Sequence, residues 1–163
     1  AVARATSGTV VVLAGTSRLE NVPRLIAAAA DEAQGRNLKL LAGRFDAEGR
    51  RLTLENHARP AIDVTWGSTS MRFHAELERV SANHDLVVLQ APPLDASSDA
   101  ALLGKSFDGL VLVVRPLITS RRAIKAAVSK AKLVDCPVHG LIVDGSRAWI
   151  PGWLERLVSN HST

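Results

Sequence analysis

Tyrosine is absent from this chain of 163 residues, and only three Trp, three Phe and a single Cys occur. One cysteine, Cys136, excludes an intrachain disulfide and a cysteine-rich metal site, and it fits a reducing compartment. It reads as a small buried hydrophobe next to Pro137. No apolar run approaches the roughly 18 residues that cross a bilayer, so the domain as given is expected to be soluble. The first eight residues lack the apolar centre of a signal peptide. The chain begins with Ala1 rather than Met, as a processed chain or an excised fragment would. Acid or base in blocks is also missing: 20 Lys and Arg are scattered among 16 Asp and Glu, giving a net charge of +4 on a mixed surface. His57, His74, His84, His139 and His161 are never three or four residues apart, so no metal site is expected.

What the chain has is aliphatic content. Hydrophobic residues make up 47% of the sequence, enough for one core with helices on both faces, and residues 1–163 read as a single domain. Thr9–Ala14, Leu86–Leu89 and Gly109–Val114 are short, β-branched, continuously apolar runs, the pattern of strands buried on both sides of a parallel sheet. Further strands are expected at Leu38–Ala42, Ala61–Trp66 and Val138–Val143. Between them lie helical stretches: Pro23–Gln34 capped by Asn21 and closed by Gly35, one from Ser68 or Ser70 to about Asn83, a short one at Ser98–Lys105, and one to Leu133 capped by Thr119 or Ser120. Phe73, Leu77 and Val80 form the buried stripe of the second helix. Gly43–Pro60 reads as an irregular excursion with a short edge strand at Arg51–Leu54, and a short amphipathic helix is expected after Pro151. The alternation implies an α/β fold with an open, mostly parallel sheet covered on both faces.

Several runs carry a family signature. His84-Asp-Leu-Val-Val-Leu-Gln-Ala-Pro-Pro-Leu94, Ser98-Asp-Ala100, Phe107-Asp-Gly-Leu-Val-Leu-Val-Val-Arg115 and His139-Gly-Leu-Ile-Val-Asp144 stand in order along the chain. From about Ala61 onward this order resembles the cytoplasmic bacterial tyrosine kinase domains of capsule and exopolysaccharide systems, relatives of cell-division and plasmid-partition ATPases. The resemblance implies a P-loop NTPase-like fold. It also implies three catalytic motifs, each of which departs from the family pattern here.

A phosphate loop works because backbone N–H groups and a helix N-terminus surround the phosphates, while Lys offsets their charge and Ser or Thr binds Mg²⁺. In Gly15-Thr-Ser-Arg-Leu-Glu-Asn-Val-Pro23, alignment on Glu20 puts Asn21 on the family's second Gly, Val22 on the Lys and Pro23 on the hydroxyl residue. Gly15, Thr16 and Ser17 are what remains of an anion-binding turn. The second acidic motif would fall at Gly43–Phe45, where no acid stands, and Asp46 is displaced from it. In the third motif Gln90 replaces the metal-handling Asp before Pro92 and Pro93. The family's tyrosine cluster is missing altogether. The resemblance with these losses implies an inactive, pseudokinase-like domain: no catalytic residues, no metal, no cofactor, and no residual ATP or ADP binding. The partner it implies is the cytoplasmic end of a membrane polysaccharide chain-length or export protein, with a homo-oligomer as a further option. That would place the domain in the cytoplasm at the inner face of the membrane.

Other constellations stay open. Asp95 and Asp99 lie near the carboxyl edge of the sheet, where open α/β sheets bind ligands, but Asp99 reads more simply as a helix cap. Arg121, Arg122, Lys125, Lys130 and Lys132 make a basic stripe without interleaved aromatics, so nucleic acid is not expected. Trp149 and Trp153 are either a core brace or an interface anchor. The alternatives to a pseudokinase are a partition-type positioning adaptor and an enzyme using the crevice for non-nucleotide chemistry.

Overall fold

The continuously apolar runs become the middle of a sheet. The computed structural model describes residues 9–47, 51–54, 61–63 and 70–145. In chain order the elements are β1 (Thr9–Gly15), α1 (Val22–Gly35), β2 (Leu40–Phe45), β3 (Arg51–Leu54), β4 (Ala61–Asp63), α2 (Ser70–Ser81), β5 (Leu86–Gln90), α3 (Asp99–Ser106), β6 (Leu110–Val114), α4 (Arg121–Leu133) and β7 (Val138–Val143). They form one seven-stranded sheet in the order β4-β3-β2-β5-β1-β6-β7. The five strands from β2 to β7 in that order pair in parallel, and β3 and β4 add an antiparallel edge.

Because side chains alternate along a strand, β1 feeds two cores. Val10, Val12 and Ala14 pack with Val87, Leu89, Leu110 and Leu112 under α2, α3 and α4, where Leu77, Leu103 and Ala131 close the layer. Leu13, Val88 and Val113 face the other way, against Val22 and Ile26 of α1. Burying both faces is what a strand such as Leu-Val-Leu-Val-Val in β6 requires. The chain passes from β1 to β2 on one side and from β5 to β6 on the other, so the sheet reverses direction at β1 and β5. An open α/β sheet forms its crevice at such a reversal, beyond the carboxyl ends of the strands.

Helix starts follow the capping residues. Asn21 Oδ1 accepts from Arg24 N (3.2 Å), and Ser120 Oγ accepts from Ala123 N (3.1 Å). Thr119, the other candidate cap, is turned to a different use. Gly35 does not close α1. It is the last helical residue, and the left-handed step falls on Asn37 (φ 57°), a residue type that tolerates it. Asp99 is not a cap either: it is the first residue of α3, and its N–H donates to Ser97 Oγ (3.0 Å).

The expected excursion after Ala42 is corrected as well. β2 starts at Leu40 and continues through Gly43, Arg44 and Phe45, which pair with Leu54, Thr53 and Leu52. The absence of a side chain at Gly43 makes room, since a Cβ there would sit 3.0 Å from Leu52, Leu54 and Leu89. Leu77 and Val80 are buried as expected. The Phe73 side chain, the stretch Val64–Trp66 and the whole segment with Trp149, Trp153 and the helix after Pro151 lie outside the described residues.

Candidate anion crevice at the carboxyl ends of β1 and β5

The turn after β1 is a short polar segment between a buried strand and the N-terminus of α1, so its buried N–H groups need partners. Thr16 N donates back to Val113 O of the neighbouring β6 (3.1 Å). Ser17 N donates to Glu20 Oε2 (2.8 Å), and Ser17 Oγ donates to the same oxygen (2.8 Å). Glu20 Oε1 accepts from Thr16 Oγ1 (2.7 Å) and from Thr119 Oγ1 (2.6 Å), which arrives from the loop between β6 and α4. Glu20 is only 7% exposed, so its carboxylate is an internal anion held by four donors. Burial alone would raise its pKa. The hydrogen bonds from Thr119, Thr16 and Ser17 together outweigh burial and hold the carboxyl below its ordinary value.

A second carboxylate works from the far side. Asp144, just beyond β7, is 6% exposed and accepts from Asn21 N through Oδ2 (3.0 Å), in favourable alignment with the N-terminus of α1. Its own N–H is tied to Val114 O (2.8 Å). Arg115 Nη1 donates to Leu19 O (3.3 Å), and Arg115 N donates to Thr119 Oγ1 (2.9 Å), so the β6–α4 loop is stitched to the turn from several points. Gly15 is required here. A Cβ on it would lie 2.6 Å from Ser17 O and 3.0 Å from Glu20 Oε2.

Beside this turn lies an open cavity of about 320 Å³, lined among others by Ser17, Arg18, Glu20, Gln90 and Pro93. The structure thus brings together Gly15, Ser17, Glu20 and Gln90, as the sequence pattern implies. Val22 is 4% exposed and packs into the core with Leu13, Ile26 and Val113. Pro23 is exposed in the first turn of α1, and Pro92 is buried. Asp46 directly follows β2, with its N–H on Arg51 O (2.9 Å). Asp95 is exposed and lines a separate cavity of about 80 Å³ with Thr16, Leu94 and Lys130, while Asp99 borders neither cavity. Asp95 thus shares a cavity with Thr16 of the turn, and the two carboxylates are not brought together there. Among the described residues no cluster of three metal-ligating side chains occurs, and no described helix is long and apolar enough to cross a membrane.

Three residues central to the network carry no functional weight in a motif reading: Thr119, Asp144 and Glu20 as an acceptor. One signal was present. Ser17-Arg-Leu-Glu20 has the Ser-x-x-Glu spacing in which a Glu reaches back to a Ser N–H.

No protein-family model matches the sequence. Tyrosine-protein kinase etk of Escherichia coli K12 is 28% identical over 74 residues, which are 45% of this chain and 10% of that protein. The same kinase from the O157:H7 strain matches equally. Among solved structures, the kinase domain of E. coli tyrosine kinase ETK aligns with a TM-score of 0.64 at 15% identity, over 85% of this chain and 68% of that one. The chain is similar to bacterial tyrosine kinase domains, in sequence over those 74 residues and in fold over most of its length. The BceF tyrosine kinase domain (TM-score 0.59, 16% identity, 82% and 67% covered) and the chimerical protein CapA2B2 (0.61, 13%, 86% and 77%) share the fold. The chain spans about a tenth of the length of the curated relatives it matches. In this tyrosine kinase-like fold the β1–α1 turn is filled by the chain's own carboxylate, Glu20.

Proposed function

We propose that this chain is a catalytically inactive, kinase-like domain of a bacterial exopolysaccharide or capsule system, acting by contact with a membrane partner rather than by phosphoryl transfer. The relation to the etk kinase supports the setting. The single observation that carries the inactive reading is the β1–α1 turn. Its lysine position is a core valine, and Ser17 N and Asn21 N are engaged by Glu20 and Asp144. Phosphoryl transfer needs positive charge and free donors around the β- and γ-phosphates, with a metal held by acidic or hydroxyl ligands. Gln90 offers a neutral amide on the opposite wall.

Neither ATP nor ADP is then a cofactor. The partner this reading favours is the cytoplasmic end of a polysaccharide chain-length or export protein, which would bring the domain to the inner face of the membrane.

The test has two arms. Purified protein incubated with ATP and Mg²⁺ should release no phosphate above a heat-killed control and should label no tyrosine on an added acceptor polypeptide. Pull-down from the native membrane should recover a polysaccharide chain-length or export protein. Magnesium-dependent turnover that is lost on changing Ser17 would overturn the inactive reading, and recovery of chromosome-partition components instead would overturn the setting.

A further inference from the structure

Four donors converge on one buried anion between β1 and α1: Ser17 N, Ser17 Oγ, Thr16 Oγ1 and Thr119 Oγ1, all on the carboxylate of Glu20. A carboxylate and a phosphate make the same demand on a protein, since both are oxyanions that accept from N–H and O–H groups. We propose that Glu20 is a built-in surrogate for a phosphate group, filling the oxyanion site of this turn from within, and that withdrawing it opens a site for a free tetrahedral oxyanion.

Three independent features support this. First, the fourth donor comes from a residue 99 positions away on another loop, so the site is assembled by the tertiary fold rather than by one turn. Second, the cavity of about 320 Å³ is lined by Glu20 and Arg18, so an incoming anion has a route past a basic residue. Third, Gly15 leaves the space that Glu20 Oε2 occupies; a Cβ there would stand 3.0 Å from that oxygen. The proposal rests on reading the turn as a former phosphate cradle. It adds that occupancy by Glu20, and not the missing lysine alone, closes the turn to phosphate.

The experiment compares the intact chain with Glu20→Ala, Glu20→Ser, Val22→Lys and the double variant Glu20→Ala/Thr119→Val. Calorimetric titration uses inorganic phosphate and pyrophosphate at matched ionic strength, and thermal melts use phosphate against chloride. Glu20→Ala should bind phosphate at least tenfold more tightly than the unaltered chain and should melt higher in phosphate than in chloride. The double variant should lose most of that gain, and Val22→Lys alone should gain nothing. A folded Glu20→Ala protein with no greater phosphate affinity than the parent overturns the proposal and leaves Glu20 as a brace of the turn. If Glu20→Ala folds only in phosphate, the proposal stands. If Glu20→Ala fails to fold with or without phosphate, Glu20→Ser, which also clears the site, decides: no gain in phosphate affinity there overturns it. ATP hydrolysis by the unaltered chain would defeat the inactive reading instead, so the two failures are distinct.

Discussion

The loops that leave β1 and β5 meet at one crevice but are held by different physics. The β1 loop is polar and ionisable: its shape depends on the carboxylates of Glu20 and Asp144 and on hydroxyls from Thr16, Ser17 and Thr119. The β5 loop is apolar and backbone-paired. Ala91 N donates to Leu13 O (2.9 Å), Leu94 N donates to Gly15 O (3.0 Å), and Leu94 is 1% exposed in the main core. Lys130 Nζ closes it by donating to Leu94 O. On the proposed inactive reading, the difference gives two routes to a quiet crevice. On the β1 side the donors remain but are satisfied internally. On the β5 side Gln90 ends the strand with a neutral amide, and packing, not charge, maintains the proline turn.

Four substitutions would sharpen or break this contrast. The largest effect is expected from Leu94→Ala, which leaves a cavity under the β5 loop and should cost about 3 kcal/mol in urea unfolding. That loss should be the same at pH 7 and pH 4, because no titrating group is involved.

Glu20→Ala should cost about 2 kcal/mol at pH 7, since it strands the buried Thr16 hydroxyl and three part-buried donors. This loss should depend on pH. The folded carboxyl titrates below its ordinary value, so its contribution is complete above the unfolded-state pKa and disappears as pH falls through the folded one. The gap between the unaltered chain and Glu20→Ala should therefore narrow in acid. A gap that stays constant down to acid unfolding would mean the β1 loop is held no differently from the β5 loop.

Thr119→Val removes one of the four donors while keeping the side chain's shape, and it should cost about 1 kcal/mol. An unchanged midpoint would show that the β6–α4 loop does not brace the turn. Asp144→Asn is expected to have the smallest effect, about 0.5 kcal/mol or less, because an amide oxygen can still accept from Asn21 N and only the charge at the α1 N-terminus is lost. A loss comparable with that of Glu20→Ala would make Asp144 the main support of the loop.

The sequence by itself determined the strands, since runs such as Val87–Leu89 and Leu110–Val114 are too continuously apolar to be stable except between two layers. It also placed the cap at Asn21 and narrowed that of α4 to Thr119 or Ser120, because capping depends on residue type at a local position. It misplaced the end of α1 and the extent of β2, where Asn37 and the close packing of Leu52 and Leu54 over Gly43 decide. Only the tertiary structure decided what fills the turn. Thr119 reaches Glu20 across 99 residues and Asp144 reaches Asn21 across 123, contacts that exist because β1 lies beside β6 and β6 beside β7. Periodicity and local spacing specify which segments are strands. The order in which strands pair, and so which distant hydroxyl or carboxylate meets a given loop, is set by how the whole chain buries both faces of the sheet.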